Sequence, residues 1–479
     1  MKRTGGYNVP LAGRPAGSVL LLDEPGELHL PLASRRFHFR DVHVADGQEV
    51  RQGEPVATDP DHYGLPLLAP RAGTARLGEG VVVLTDVTEE QEEAYQEQEP
   101  GEHASKLPGP AARRRQTMLD LGAWQYFSDA CTGELADISA DPSAVIASTV
   151  QLEPFSARGD VQIEKRLAAF TRGLEHIQSL LEYQPIHLIV PDVKDELARR
   201  VRERVRGYAH VKVHLIPLDY PFDDPALVAR ELKLTGEEGP VWSIQARGVL
   251  AVDRAMTQSR PVTVRIVAVG GPGVGRPTHV KALVGYPVEK ILAACDVHEN
   301  VRVIAGGALT GEQWPEGRVG LDAECSSLTV LPDDPPREFL GFARPGWDRQ
   351  SVHRCYLSRL RKPFAEELTT RLRGERRACV ACLACEEVCP AGIRPHLIHK
   401  YLYEDALEEA EAARIDLCVE CGLCAYVCPS KIELLEQFRE AKVAIARELA
   451  EAAAEEAAAE AEAAAKAEAE ADDGREVSA

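Results

Sequence analysis

Two short cysteine runs constrain this chain more than any other feature. Cys379, Cys382, Cys385 and Cys389 are followed by Pro390, and Cys418, Cys421, Cys424 and Cys428 by Pro429. Each reads C-x2-C-x2-C-x3-C-P, the bacterial ferredoxin spacing. Thiolates two residues apart fit round one corner of a cubane as the chain curls, and the proline then turns the backbone away. In two-cluster ferredoxins the fourth cysteine ligates the other cluster. On that pattern one [4Fe–4S] cluster takes Cys379, Cys382, Cys385 and Cys428, and a second takes Cys418, Cys421, Cys424 and Cys389. Zinc is the competing metal, but zinc sites use two C-x2-C pairs rather than two quartets ending in C-P. Gly422, inside the second run, lets backbone approach a cluster. Between the runs, Leu397, Ile398, Tyr401, Leu402 and Leu407 recur at helical spacing and predict a helix within Ile393 to Ile415. The other cysteines, Cys131, Cys295, Cys325 and Cys355, are scattered and read as buried thiols.

The rest of the 479 residues leaves room for about three or four domains in all. Apolar residues make up 44%, which excludes a wholly disordered chain. The net charge of −21 excludes a bulk nucleic-acid binder, which needs a basic footprint. Much of that charge is local: Asp86 to Glu102 and Glu451 to Ala479 carry −8 each, so the acidity belongs to a linker and a tail. No apolar run approaches the ~20 residues of a membrane span. No apolar h-region follows Met1-Lys2-Arg3, so a cytoplasmic chain is expected.

Residues 1–85 read as a β domain. Val44, Gly47, Val50, Gly53 and Val56 recur at three-residue intervals among short alternating strands, which suggests a sandwich of two hairpins. The segment resembles the barrel-sandwich fold of biotinyl and lipoyl domains. Asp59 to Leu65, comparable to their lysine-bearing hairpin tip, has no lysine, so a swinging-arm cofactor is not expected. Residues 86–117 read as an acidic, then Pro/Gly-rich linker ending near Arg113-Arg114-Arg115, a basic cluster that is usually solvated. From 118 to 262, helix and strand patterns alternate. Glu164 to Tyr183 reads as a helix, Ile186 to Val190 as a buried strand, Asp192 as the cap of a helix ending near Gly207, and Val211 to Ile216 as a strand. That order argues for a parallel α/β layer. Residues 263–335 read as a small β domain. Its first strand, Val262 to Val269, runs into Gly270, Gly271, Gly273 and Gly275. A turn between two strands accounts for these glycines; a phosphate- or flavin-binding loop is the other reading. His279 beyond it reads as a structural histidine. Residues 336–440 form the helical two-cluster domain, and 441–479 an Ala/Glu-rich helical tail, disordered from Asp472 onward.

Segment by segment, the chain resembles a known pair of families. The order of domains resembles RnfC of the Rnf complex. Tyr7 to Gly13, Leu174 to His187, Trp242-Ser243-Ile244, Gly270 to Lys281 with Gly285, Gly306-Gly307 and Glu338 to Phe342 resemble NqrA of the sodium-pumping NADH:quinone reductase, Nqr. The resemblance spans residues 5–435. It implies an α+β multidomain fold: a barrel-sandwich β domain, a Rossmann-like α/β domain akin to the flavin-binding part of complex I, a small β-grasp-like domain and a helical two-[4Fe–4S] domain. RnfC carries a glycine-rich loop where this chain has Met118 to Phe127. Here one glycine, Gly122, remains, and Trp124 stands where the loop would open. The family's FMN and NADH sites therefore do not carry over residue by residue, whereas the cluster cysteines do.

The resemblance implies an electron-transfer subunit on the cytoplasmic face of the membrane. It would be held there by integral and flavin- or iron–sulfur-bearing partner subunits and would relay electrons through two [4Fe–4S] clusters. An NADH dehydrogenase subunit with FMN in the α/β domain is one alternative. A non-redox adaptor braced by its clusters is the other.

Overall fold

In this computed structural model the chain forms two bodies, Gly6–Gly374 and Met1–Gly5 with Glu375–Ala479. The described residues are 4–89, 95–96, 99–181, 184–234, 236, 239–333, 364–370 and 376–476, with side chains described up to Glu455. Cys355 and the stretch Glu338 to Phe342 lie outside them.

Two small sheets begin the larger body. Glu27–Pro31, Val81–Thr88, Ala72–Gly78 and Glu49–Val50 form one, in that order; Asp41–Val42, Pro55–Asp59 and Leu65–Leu68 form the other. Side chains alternate across a strand, so Val82 and Leu84 point into a core shared with Leu28, Leu30, Val56 and Leu65. Asp59 is fully buried there. It accepts the His38 amide at 2.7 Å and the Asp61 amide at 3.0 Å, and sits 2.9 Å from His62 Nδ1.

Val19–Leu21 does not join these sheets. It pairs in parallel with Thr278–Leu283, Leu20 opposite Val280, and edges a six-stranded sheet continuing through Val264–Gly270, Ser327–Pro332, Val301–Ala305 and Glu312–Gln313. Three residues are too short a run to reveal such a distant partner.

A five-stranded sheet forms the α/β layer, in the order Val211–Ile216, Ile186–Pro191, Ala144–Ser148, Val241–Gln245 and Ser128–Asp129. The first four are parallel and the last antiparallel. Ala144–Ser148 is buried at every residue, as expected of a central parallel strand. Leu167–Gln178 is a helix with Phe170, Leu174 and Ile177 buried along one stripe. It packs on the helix Ala246–Gln258, where a side chain at Gly173 would run into the Val249 carbonyl. Asp195, not Asp192, caps the next helix, Glu196–Val205: its carboxylate accepts the Leu197 and Ala198 amides at 3.1 and 3.2 Å.

The layer starts earlier than the sequence predicts. A helix spans Gly109–Asp120, and Arg115 is fully buried rather than solvated. Its guanidinium donates to the carbonyls of Ile138 and Ala140 at 2.8 and 2.6 Å, pairs with Asp141 at 3.1 Å and lies 5.0 Å over the Trp242 ring.

His187 and His214 stack across neighbouring strands, with His187 Nδ1 3.0 Å from His214 Nε2. Burial, then the charges of His214 and Lys212, pull His187 down to about 4. The fold therefore favours neutral His187. Its contribution to stability is complete above pH 6.5 and is lost as pH falls through about 4. Thermal melts followed by tryptophan emission at about pH 7, 5 and 4 should show a smaller acid-induced loss in His187→Leu than in the parent chain; equal losses would contradict this.

The smaller body is built from two halves. Cys379 and Cys418 stand 39 positions apart, and the backbone repeats at that offset. Short helices follow at Ala384–Val388 and Leu423–Tyr426, then longer ones begin at Pro395 and Leu434. The expected single helix between the runs is two, Pro395–Tyr403 and Leu407–Ala412. Asp405 takes a left-handed backbone (φ 53°) between them, and the Ala406 amide caps the Tyr401 carbonyl at 2.9 Å. Ile398, Ala410, Ile415, Leu434 and Phe438 form the core. The last helix runs from Leu434 to Glu476, past Asp472, where the sequence predicts disorder.

Candidate metal centre

Left-handed residues shape both cysteine runs. They fall at Ala381 and Leu383 in the first and at Glu420 and Gly422 in the second, with Gly392 and Lys431 after the prolines. Such residues bend the chain too tightly for an extended strand or a continuous helix, and in the second run Cys418, Cys421 and Cys424 face one space. Only Gly392 and Gly422 adopt φ > 0 without side-chain strain.

The fourth cysteine of each run meets the other run. Cys389 lines a space of about 380 Å3, open mouth included, together with Cys418, Cys421 and Cys424. Cys428 lies near enough to Cys385 for its charge to act on that thiol. Backbone pairing explains this second meeting. The Arg377 amide donates to the Ser430 carbonyl at 3.0 Å, and Ser430 Oγ donates to the Ala378 carbonyl at 3.0 Å. These bonds tie the chain entering the first run to the chain leaving the second.

Burial opposes ionisation here, and neighbouring thiols add to it at Cys385 and Cys424. Burial, followed by Cys382 and Cys428, pushes Cys385 up to about 12. Burial is the main cause for Cys418, which is pushed up to about 11, and for Cys424, held well above the usual thiol range. Metal binding opposes this, because the thiolate is the form that binds metal. Among the described residues, no three His, Cys, Asp or Glu side chains close on the position of a single ion. Cys389, Cys418, Cys421 and Cys424 instead line one shared space, an arrangement that suits a multi-iron cluster.

Several partners are not cysteines. The Glu420 amide donates to Cys418 Sγ at 3.4 Å. The Glu420 carboxylate accepts Lys442 Nζ at 2.6 Å and Arg439 Nε at 3.2 Å, and Lys442 also donates to the Cys418 carbonyl at 3.1 Å. Gly5, at φ +69°, lies so close to the Cys389 carbonyl that a side chain there would overlap it. Cysteine spacing says nothing about Lys442 or Gly5, which reach the site through the fold.

The glycines Gly270, Gly271, Gly273 and Gly275 are placed differently. They connect antiparallel strands, Val264–Gly270 and Thr278–Leu283. The amides of Gly271, Gly273 and Gly275 donate to the carbonyls of Gly13, Val330 and Asp296 at 2.9, 3.0 and 2.8 Å. A side chain at Gly271 would collide with the Val330 backbone. The structure does not bring these amides together on one point; it uses the glycines for close packing. His279 is fully buried, with Nδ1 2.7 Å from the Ala16 carbonyl and Nε2 accepting the Arg158 amide at 3.1 Å. In the stretch Met118 to Phe127, Trp124 is fully buried, stacks on Phe127 at 4.9 Å, meets Trp242 edge-on at 5.3 Å and donates Nε1–H to the Ala136 carbonyl at 3.0 Å.

Residues 111–260 match a family described as NqrA second alpha/beta domain, and residues 378–433 a 4Fe-4S dicluster domain. The NqrA protein of the Na(+)-translocating NADH-quinone reductase from Neisseria meningitidis serogroup C is 26% identical over 461 residues, covering 92% of this chain and 98% of that one. Its counterpart from Vibrio parahaemolyticus is 25% identical over 456 residues, with the same coverage of 92% and 98%. That of Alcanivorax borkumensis is 25% identical over 405 residues, covering 82% and 87%. Among solved structures, an NAD+-reducing [NiFe]-hydrogenase in the air-oxidized state aligns with 46% of each chain at a TM-score of 0.36 and 13% identity.

Proposed function

As a member of an Nqr/Rnf-like family that carries a C-terminal iron–sulfur domain, the chain is, we propose, an electron-transfer subunit of a membrane-associated oxidoreductase complex. Cys379, Cys382, Cys385 and Cys428 hold one [4Fe–4S] cluster, and Cys418, Cys421, Cys424 and Cys389 hold the other. The observation that carries this reading is that Cys389, the fourth cysteine of the first run, lines one space with Cys418, Cys421 and Cys424 of the second. A bound cluster supplies one-electron acceptance and release, with a potential set by charge, hydrogen bonds to sulfur and solvent exposure. The chain's own residues hold the thiolates in register, exclude bulk water through Ile393, Leu423 and Phe438, and donate the Glu420 amide to sulfur.

No helix among the described residues is long and apolar enough to cross a membrane. Attachment at the cytoplasmic face then falls to integral and flavin- or iron–sulfur-bearing partner subunits. The N-terminal two-sheet unit serves as a barrel-sandwich scaffold, the α/β layer as a Rossmann-like one, and the sheet of residues 263–333 as a β-grasp-like one. Trp124 fills the loop region that a flavin site would need open, which favours a relay over an NADH dehydrogenase.

Anaerobic purified chain should lose its cluster absorbance on addition of dithionite and keep it on addition of NADH alone. Bleaching by NADH would overturn the relay in favour of a nucleotide-binding subunit. Absorbance unmoved by either would leave a non-redox brace.

A further inference from the structure

The two halves of the cluster domain match in backbone but differ in charge. Glu420, Arg439 and Lys442 surround the Cys418 end of the second run, two cations against one anion. Thirty-nine positions earlier the chain places Ala381, Lys400 and Tyr403. Tyr403 is 83% exposed, whereas Lys442 is held at the Cys418 carbonyl and the Glu420 carboxylate. The short helix of the first half also carries Glu386 and Glu387 where the second has Ala425 and Tyr426. Exposure differs at one position: Cys379 is exposed where Cys418 is partly covered, while Cys382, Cys421, Cys424 and Cys428 are partly covered and Cys385 and Cys389 are buried. Reduction adds a negative charge, and burial disfavours that charge, so the more enclosed second site is the harder to reduce unless a cation offsets its enclosure.

We propose that Lys442 sets the potential of the site formed by Cys418, Cys421, Cys424 and Cys389, raising it toward that of the more exposed first site so that an electron passes between them in either direction. The inference rests on the two-cluster reading above. Lys442 is a positioning residue here: it touches the ligand's carbonyl and the Glu420 side chain, not the sulfur. Its charge acts through a partly enclosed medium, where a nearby cation is screened less than at a free surface. Removing that charge should change the oxidised-to-reduced ratio at this site about tenfold, ~59 mV for a one-electron couple.

The test is an EPR-monitored redox titration of the full-length chain, with iron content measured on the same samples. In Lys442→Met one couple should move down by about that amount and the other stay in place. Lys442→Arg should restore the parent value, because it keeps the charge while changing the shape. Tyr403→Lys should raise the couple that Lys442→Met leaves alone. Glu420→Gln, which removes the opposing anion, should move the Lys442-sensitive couple up, and it decides the matter if Lys442→Met does not retain its iron. Fully loaded Lys442→Met with both couples at parent values would overturn the proposal, as would equal shifts in Lys442→Met and Lys442→Arg. Parent chain without iron would instead sink the two-cluster reading.

Discussion

Replacing Cys421 with alanine is expected to leave the chain with about four iron atoms instead of about eight, and with one reducible centre instead of two. Cys421 lines the space that Cys389, Cys418 and Cys424 also line; three thiolates and a methyl group leave one corner of a cubane open to solvent. The exchange of fourth cysteines makes the result specific. Cys389→Ala should remove the same centre as Cys421→Ala, although Cys389 belongs to the first run. The Cys389→Ala/Cys421→Ala double variant should therefore still hold about four irons, while Cys421→Ala/Cys428→Ala should hold almost none. If each run instead completed its own cluster, these two double variants would trade outcomes. Iron and sulfide assays on anaerobically purified protein decide between them. Electron transfer in the assembled complex should collapse with any of the single variants if the electron must cross both centres.

The second large effect lies far from the cysteines in sequence. Trp124→Ala should cost about 3–5 kcal/mol of stability in the α/β layer. The side chain is fully buried between Phe127 and Trp242 and satisfies the Ala136 carbonyl. Truncation leaves a cavity, removes two aromatic contacts and strands a buried carbonyl. Arg115, stacked on the other partner Trp242, would lose support as well. Urea denaturation followed by the emission of the remaining tryptophans should show a lowered midpoint. A stability within ~1 kcal/mol of the parent would mean that this region is loosely packed and able to open, as a nucleotide loop would require.

What could be read from the sequence follows from the range of the forces involved. The cysteine spacing is local covalent chemistry, so both runs stand out in the sequence, and residues 378–433, which contain them, match a 4Fe-4S dicluster domain. Strands such as Ile186–Pro191 and Val211–Ile216 announce themselves by continuous or β-branched apolar runs. Long-range partners do not. Nothing near Val19–Leu21 points to Thr278–Leu283, and nothing near Arg115 points to the carbonyls of Ile138 and Ala140 that bury it. Asp192 and Asp195 are both chemically able to cap a helix; only the backbone at Asp195, extended just before the first turn, chooses between them. Lys442 was illegible for the same reason. It sits in a helix of ordinary composition, and its place beside Cys418 comes from folding the second half of the cluster domain back on itself.

The most direct measurement is a count of the electrons that the anaerobic, fully loaded chain accepts from dithionite, followed by EPR spin integration. Two crossed [4Fe–4S] clusters acting as a relay predict about two electrons per chain. Uptake of none, with about eight irons bound, would contradict the relay and leave the clusters as a brace for the fold.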